Sequence, residues 1–144
     1  MAVKAIPDGY HSVTPYLIVK GADRAIDFYN KVFGAAQRLR MDGPNGTVGH
    51  AEIEIDGSVI MLADEFPDMG YRSPQSIGAT PVSLHLYVKD VDDCFNRAVA
   101  AGAKSMRPVE DQFYGDRSGT VEDPFGHVWT ISTHKEDLSP EELQ

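Results

Sequence analysis

The sequence predicts an α+β fold in which two tandem β-α-β-β-β modules form a curved mixed sheet around a cleft. Three observations carry that expectation. Residues 13–20 (VTPYLIVK) and 82–89 (VSLHLYVK) share an apolar pattern at an offset of 69 residues, aligning Val19 with Val88, Lys20 with Lys89 and, just beyond, Asp23 with Asp92. The same offset returns between Gly57 and Gly126, each followed by an apolar run, with no shift in between. A strand pattern followed by a helix pattern opens both copies, so a duplicated supersecondary unit is expected.

The first strand, over 11–19, carries Val13, Leu17 and Val19, and Pro15 removes one backbone donor, which confines it to an edge or a locally unpaired position. Ala22, Ala25, Ile26, Tyr29, Val32 and Phe33 then recur at three- and four-residue spacing, opposite Asp27, Asn30 and Lys31. That is an amphipathic helix stopped by Gly34. Residues 37–41 make a second strand, the turn chemistry of 43–46 leads into a third over 48–55, and Asp56-Gly57 is a two-residue hairpin signal joining it to a fourth over 58–63. Module one therefore spans 10–64.

Residues 65–80 contain Pro67, Gly70, Pro74 and Gly78 without periodicity and form a linker, although Phe66, Met69 and Tyr71 suggest contact with an apolar surface. Module two, 81–134, repeats the order: a strand over 82–88, a helix over 91–101 stopped by Gly102, a short strand near 104–107, a loop over 111–117, and strands over 119–122 and 127–133. An acidic tail, 135–144, follows. Its Ser139-Pro140-Glu141-Glu142 has helix-start chemistry but almost no helix to start.

Composition narrows the function classes. With 144 residues, 42% hydrophobic and 24% charged, the chain matches one ordinary domain or two small interdependent modules. A formal net charge of −9 and the lack of any lysine or arginine run argue against nucleic acid or an anionic membrane as partner. The N-terminus has no apolar core of signal-peptide length and nothing approaches the ~20 apolar residues of a membrane span, so a cytoplasmic location is expected. The single cysteine, Cys94, rules out an internal disulfide, and its spacing with Val91, Phe95 and Ala98 places it on the packed face of a helix.

The residues resemble the vicinal oxygen chelate superfamily, the glyoxalase, bleomycin-resistance and extradiol-dioxygenase group. Residues 25–34 (AIDFYNKVFG) are similar to that family's first helix and 122–127 (EDPFGH) to its last β-turn. Residues 13–17 (VTPYL) and 111–117 (DQFYGDR) look most like the branch named after a protein of the phosphonate operon. The resemblance implies the glyoxalase-like fold and, in metal-dependent members, two ligands from each module, at positions occupied here by Thr14, Met61, Ser83 and Thr130. A thioether and three hydroxyls offer neither negative charge nor a strong nitrogen donor, so no metal and no other cofactor is expected.

Strand periodicity adds polar groups to those positions. If Asp56-Gly57 closes a two-residue hairpin, Ile53 pairs with Ile60 and Glu52 with Met61, with His50 and Glu54 beside them. The same period puts Tyr16 with Thr14, and His85 and Tyr87 with Ser83. Trp129 falls opposite Thr130, toward the helix. The leading expectation is a metal-free small-molecule-binding protein of the bleomycin-resistance kind, a homodimer. Its ligand, apolar or aromatic and allowed an anionic group, would lie among Tyr16, Met61, Tyr87, Phe113 and Tyr114, oriented by Glu52, His85 and Arg117, the last on a mobile loop. The alternatives are a lyase, isomerase or dioxygenase using displaced metal ligands such as His50, Glu52 and His85, or a metal-free enzyme with Glu52 or His85 as general base.

Overall fold

In the computed structural model, which describes residues 2–144, the chain divides into two units, Met1–Ser73 and Pro74–Gln144. Each is a β-α-β-β-β module with its own mixed four-stranded sheet, as the repeat implies.

Unit one runs β1 (Tyr16–Val19), α1 (Ala22–Phe33), β2 (Ala36–Asp42), β3 (Val48–Ile55) and β4 (Ser58–Asp64), in the spatial order β1-β4-β3-β2. β1 pairs parallel with β4, and the remaining pairs are antiparallel. The first strand is shorter than its sequence pattern: Pro15 still accepts from Met61 N at 2.9 Å, but regular pairing begins only at Tyr16, on the sheet edge. Asp56 (φ 45°) and Gly57 (φ 88°) both take left-handed backbone, the requirement of a type I′ turn. The hairpin register follows, with Ile53 opposite Ile60 and Glu52 opposite Met61. α1 buries Ala22, Ala25, Ile26, Tyr29 and Val32 against the sheet face bearing Val19, Ile53 and Leu62. The linker is not featureless: Phe66 and Tyr71 form an isolated bridge around a 3₁₀ turn at Pro67–Met69.

Unit two opens with a short helix, α2 (Pro74–Ile77), then β5 (Ser83–Tyr87), α3 (Val91–Ala100), β6 (Lys104–Asp111), β7 (Asp116–Glu122) and β8 (Val128–His134), ordered β5-β8-β7-β6. Its core holds Trp129, Ile131, Val121, Val91 and Cys94, all nearly inaccessible. Two expectations are corrected. β6 runs to Asp111, and β7 begins at Asp116, so the loop expected over 111–117 shrinks to a tight turn and Arg117 lies in a strand. The 69-residue offset is also interrupted, since Met61 faces Glu52 whereas Thr130 faces Thr120, 68 residues after Glu52. The closing hairpin of unit two, Asp123 to His127, is one residue longer than its counterpart and restores the offset.

Equivalent residues fasten both modules. Asp64 Oδ1 accepts from the N–H groups of Gly21 and Ala22 at the start of α1, and its Oδ2 from Val48 N. Thr133, 69 residues later, accepts from Val91 N at the start of α3 and donates to Val88 O. The tail retains a capping box, Ser139 with Glu142, over a turn too short to become a helix. No helix among the described residues is long and apolar enough to cross a membrane.

Candidate functional site

The face of the unit-one sheet turned away from α1 carries a chain of polar side chains. Strand pairing puts Tyr16 beside Met61 and Met61 beside Glu52, and His50 shares the face by the two-residue period. Glu52 is only 4% exposed, which a carboxylate tolerates only when well bonded. The Tyr10 hydroxyl donates to its Oε1, and His50 Nε2 lies 2.8 Å from Oε2. The Tyr16 hydroxyl lies 2.8 Å from His50 Nδ1.

Burial pushes the Glu52 carboxyl up, but the hydrogen bonds from Tyr10 and His50, aided by the electrostatic influence of His50 and Arg38, hold it below the usual glutamate value. An ionised carboxylate only accepts, so Nε2 carries a proton, and in the neutral imidazole Nδ1 accepts from Tyr16. The Tyr16 phenol is pushed above its ordinary value by burial first, then by Tyr71 and Glu52 nearby. On the far side, the Arg38 guanidinium lies 5.1 Å from the Tyr10 ring centroid and 3.6 Å from Glu54.

Two hollows flank this chain. One, about 590 Å³ and open, is lined by Tyr10, Thr14, Glu52 and Met61 with the segment before β1. The other, about 220 Å³ and more enclosed, is walled by Tyr16, Ala63, Phe66, Met69 and Tyr71. Its two acidic residues are already engaged: Asp64 by three backbone N–H groups, and Glu65 by the N–H and hydroxyl of Ser73.

In unit two, Ser83, His85, Tyr87, Thr130, Ser132 and His134 share the face turned away from α3. The His85 and Tyr87 rings are 4.8 Å apart, His85 Nε2 bonds Ser132 Oγ at 2.8 Å, and Thr130 bonds Thr120 at 3.1 Å. Tyr87 donates to the buried Asp116, whose other oxygen lies 2.7 Å from His134 Nδ1. Phe113 and Tyr114 meet edge to face at the tip of the β6–β7 turn, with Phe113 76% exposed.

Arg117 is not with them. It alternates onto the α3 face, opposite Thr133, where Asp92 of α3 takes it in a two-pronged pair at 2.8 and 3.0 Å and Asp111 adds a third contact at 3.2 Å. Arg117 thus lies in a strand rather than on the mobile loop expected for it, and it clamps α3 to the β6–β7 hairpin.

A divalent metal of the kind the resemblance implies does not fit the residues present. Thr14 and Met61 in unit one, and Ser83 and Thr130 in unit two, supply no charge and no imidazole. Among the described residues, no group of three His, Cys, Asp or Glu converges as a metal would require.

Three participants escaped sequence reasoning. Tyr10 precedes any periodic segment and reaches Glu52 across 42 residues; Asp116 falls in the stretch expected to be loop; His134, at the edge of the tail, carries no motif yet lies 2.7 Å from both Asp116 and Asp137. The aromatic residues of the linker were a usable signal for the smaller hollow.

Comparison with known proteins gives a family and a fold. The family model described as "Glyoxalase/Bleomycin resistance protein/Dioxygenase superfamily" matches residues 9–131. An uncharacterized protein of Mycobacterium bovis is 44% identical over 147 residues, spanning 100% of this chain and 94% of that protein. The crystal structure of TioX from Micromonospora sp. ML1 superposes with a TM-score of 0.66 at 30% identity, covering 87% of this chain and 99% of that one. The fosfomycin resistance protein FosX of Listeria monocytogenes, solved with Mn(II) and sulfate, has a TM-score of 0.66 at 18% identity, covering 92% and 95%, a likeness of fold alone.

Proposed function

We propose that this chain, which belongs to the glyoxalase/bleomycin-resistance/dioxygenase superfamily, is a small-molecule-binding protein that works without a metal ion. The observation that carries this reading is the aromatic hollow of unit one, walled by Tyr16, Phe66, Met69 and Tyr71. Ligand sites are concave and mostly apolar with a few placed polar groups, and drug-sized ones hold roughly 300–1,000 Å³. At about 220 Å³ the hollow suits a single aromatic ring. Thr14, Glu52 and Met61 of the larger hollow would meet any substituent extending past Tyr16.

Phe113, Tyr114, Tyr87 and His85 offer unit two a second, open aromatic surface, to which we assign further ligand contact, with Ser83 and Thr130 as hydrogen-bonding groups. The DQFYGDR stretch supports placement near the phosphonate-operon-named branch. We also propose a cytoplasmic homodimer, in which the exposed Leu39, Met41 and Met106 would find cover. Sedimentation as a monomer at micromolar concentration would count against the dimer.

Ligand-observed NMR with a panel of benzoates, phenols and alkylbenzenes tests the site. Binding of single-ring compounds, weakened by Tyr71→Ala and Phe66→Ala, is expected. Binding indifferent to both substitutions would move the site elsewhere.

A further inference from the structure

We propose that Tyr16, His50 and Glu52 form a proton-accepting relay at the wall of the aromatic hollow, and that the ligand class is a single-ring phenol or enol bound as its anion. The inference rests on the hollow assigned above and adds a chemistry to it.

The geometry is directional. Glu52 is buried and acceptor-only, His50 donates Nε2–H to it, and His50 Nδ1 lies 2.8 Å from the Tyr16 hydroxyl, so with a neutral imidazole every hydrogen bond points toward the carboxylate. The outer end differs from the inner ones. Tyr16 is 47% exposed, lines the hollow, and keeps oxygen lone pairs that nothing else in the relay uses. A ligand O–H donating to the Tyr16 oxygen would complete the line. As that O–H bond breaks, Tyr16 takes the proton and passes its own to Nδ1. His50 becomes an imidazolium against the Glu52 carboxylate, and the ligand stays as an oxyanion beside the Tyr16 O–H. Charge is conserved: one new cation is paired with Glu52, and one new anion is left in the hollow.

The surroundings favour the transfer. The Glu52 carboxylate, held ionised by Tyr10 and His50, stabilises the imidazolium by direct contact. The Tyr71 hydroxyl, close enough to influence Tyr16, is a second donor for an oxyanion. Asp64 and Glu65 face the hollow, with their oxygens taken up by hydrogen bonds from the start of α1 and from Ser73. Arg38 and Glu54, beyond Tyr10, form a pair of their own. A purely structural polar cluster would need no member facing the hollow.

The test uses 4-nitrophenol, whose anion absorbs visible light and whose neutral form does not. At a pH below the free probe's own pKa, wild type is expected to bind it as the phenolate, and NMR of the imidazole nitrogens to show His50 gaining a second proton. Glu52→Gln should bind the probe about tenfold less ionised, one pKa unit. Tyr16→Phe, which keeps the ring wall, should bind it neutral, and a single cooperative melting transition with the wild-type circular dichroism spectrum certifies the fold of either variant. A neutral probe in wild type, equal ionisation in Glu52→Gln, or a His50 that gains no proton would overturn the relay. So would failure to bind the phenol while toluene still binds. Failure to bind either overturns the hollow as a ligand site instead.

Discussion

Glu52 and His50, two residues apart on β3, are joined at 2.8 Å, and the carboxylate they share with Tyr10 is almost entirely out of water. Removing that acceptor strands two donors. Glu52→Ala is expected to destabilise unit one by about 1–3 kcal/mol, the usual cost of buried polar groups left unpaired, in denaturant unfolding. Thr14→Ala, on the same hollow, should cost under about 0.5 kcal/mol.

Stability should peak between two pH limits. Burial raises the pKa values of Glu52 and Asp116, but hydrogen bonds from Tyr10 and His50, and from His134 and Tyr87, bring both below their ordinary values. Such carboxylates stabilise the fold above their unfolded pKa and lose that contribution as pH falls through the folded value, below about pH 4. His134 is raised by its hydrogen bonds to Asp116 and Asp137. Its contribution is complete below an unfolded pKa of about 6.5 and is lost as pH rises through the higher folded one. Melting temperatures across pH should show both limbs, with His134→Asn flattening the alkaline one and Glu52→Gln the acid one.

Asp64 ties α1, β3 and β4 together through three backbone N–H groups. Asp64→Ala is expected to cost about 1–3 kcal/mol and Asp64→Asn less, since an amide oxygen can keep part of the set. Equal stability of Asp64→Ala and wild type would show that water replaces the carboxylate without loss.

The pattern of that fastening was legible only in part. The Asp56-Gly57 turn disclosed the pairing of Glu52 with Met61, because left-handed backbone at two consecutive residues admits one hairpin geometry and hence one register. The α1 boundaries followed from apolar spacing and Gly34. Only the start of β6, near 104–107, was legible, because its register shifts near Arg107 break the alternation by which a strand is read. Tyr10 with Glu52 and Arg117 with Asp92 join residues 42 and 25 positions apart, and no local pattern encodes such contacts.

Arg117 now predicts stability rather than affinity. The paired carboxylates of Asp92 and Asp111 hold its pKa well above the usual arginine value, an arrangement that salt weakens. Arg117→Ala should lower the melting temperature modestly, less so in high salt, and leave binding of single-ring ligands unchanged. A loss of ligand affinity without loss of stability would return Arg117 to the site.

Calorimetric titration of a single-ring phenol into protein of known metal content, with and without chelator, tests metal-free binding by unit one most directly. The expected result is no stoichiometric zinc, nickel, iron or manganese, and an affinity that chelator leaves unchanged but Tyr71→Ala weakens. One metal per chain, or binding abolished by chelator, would contradict it.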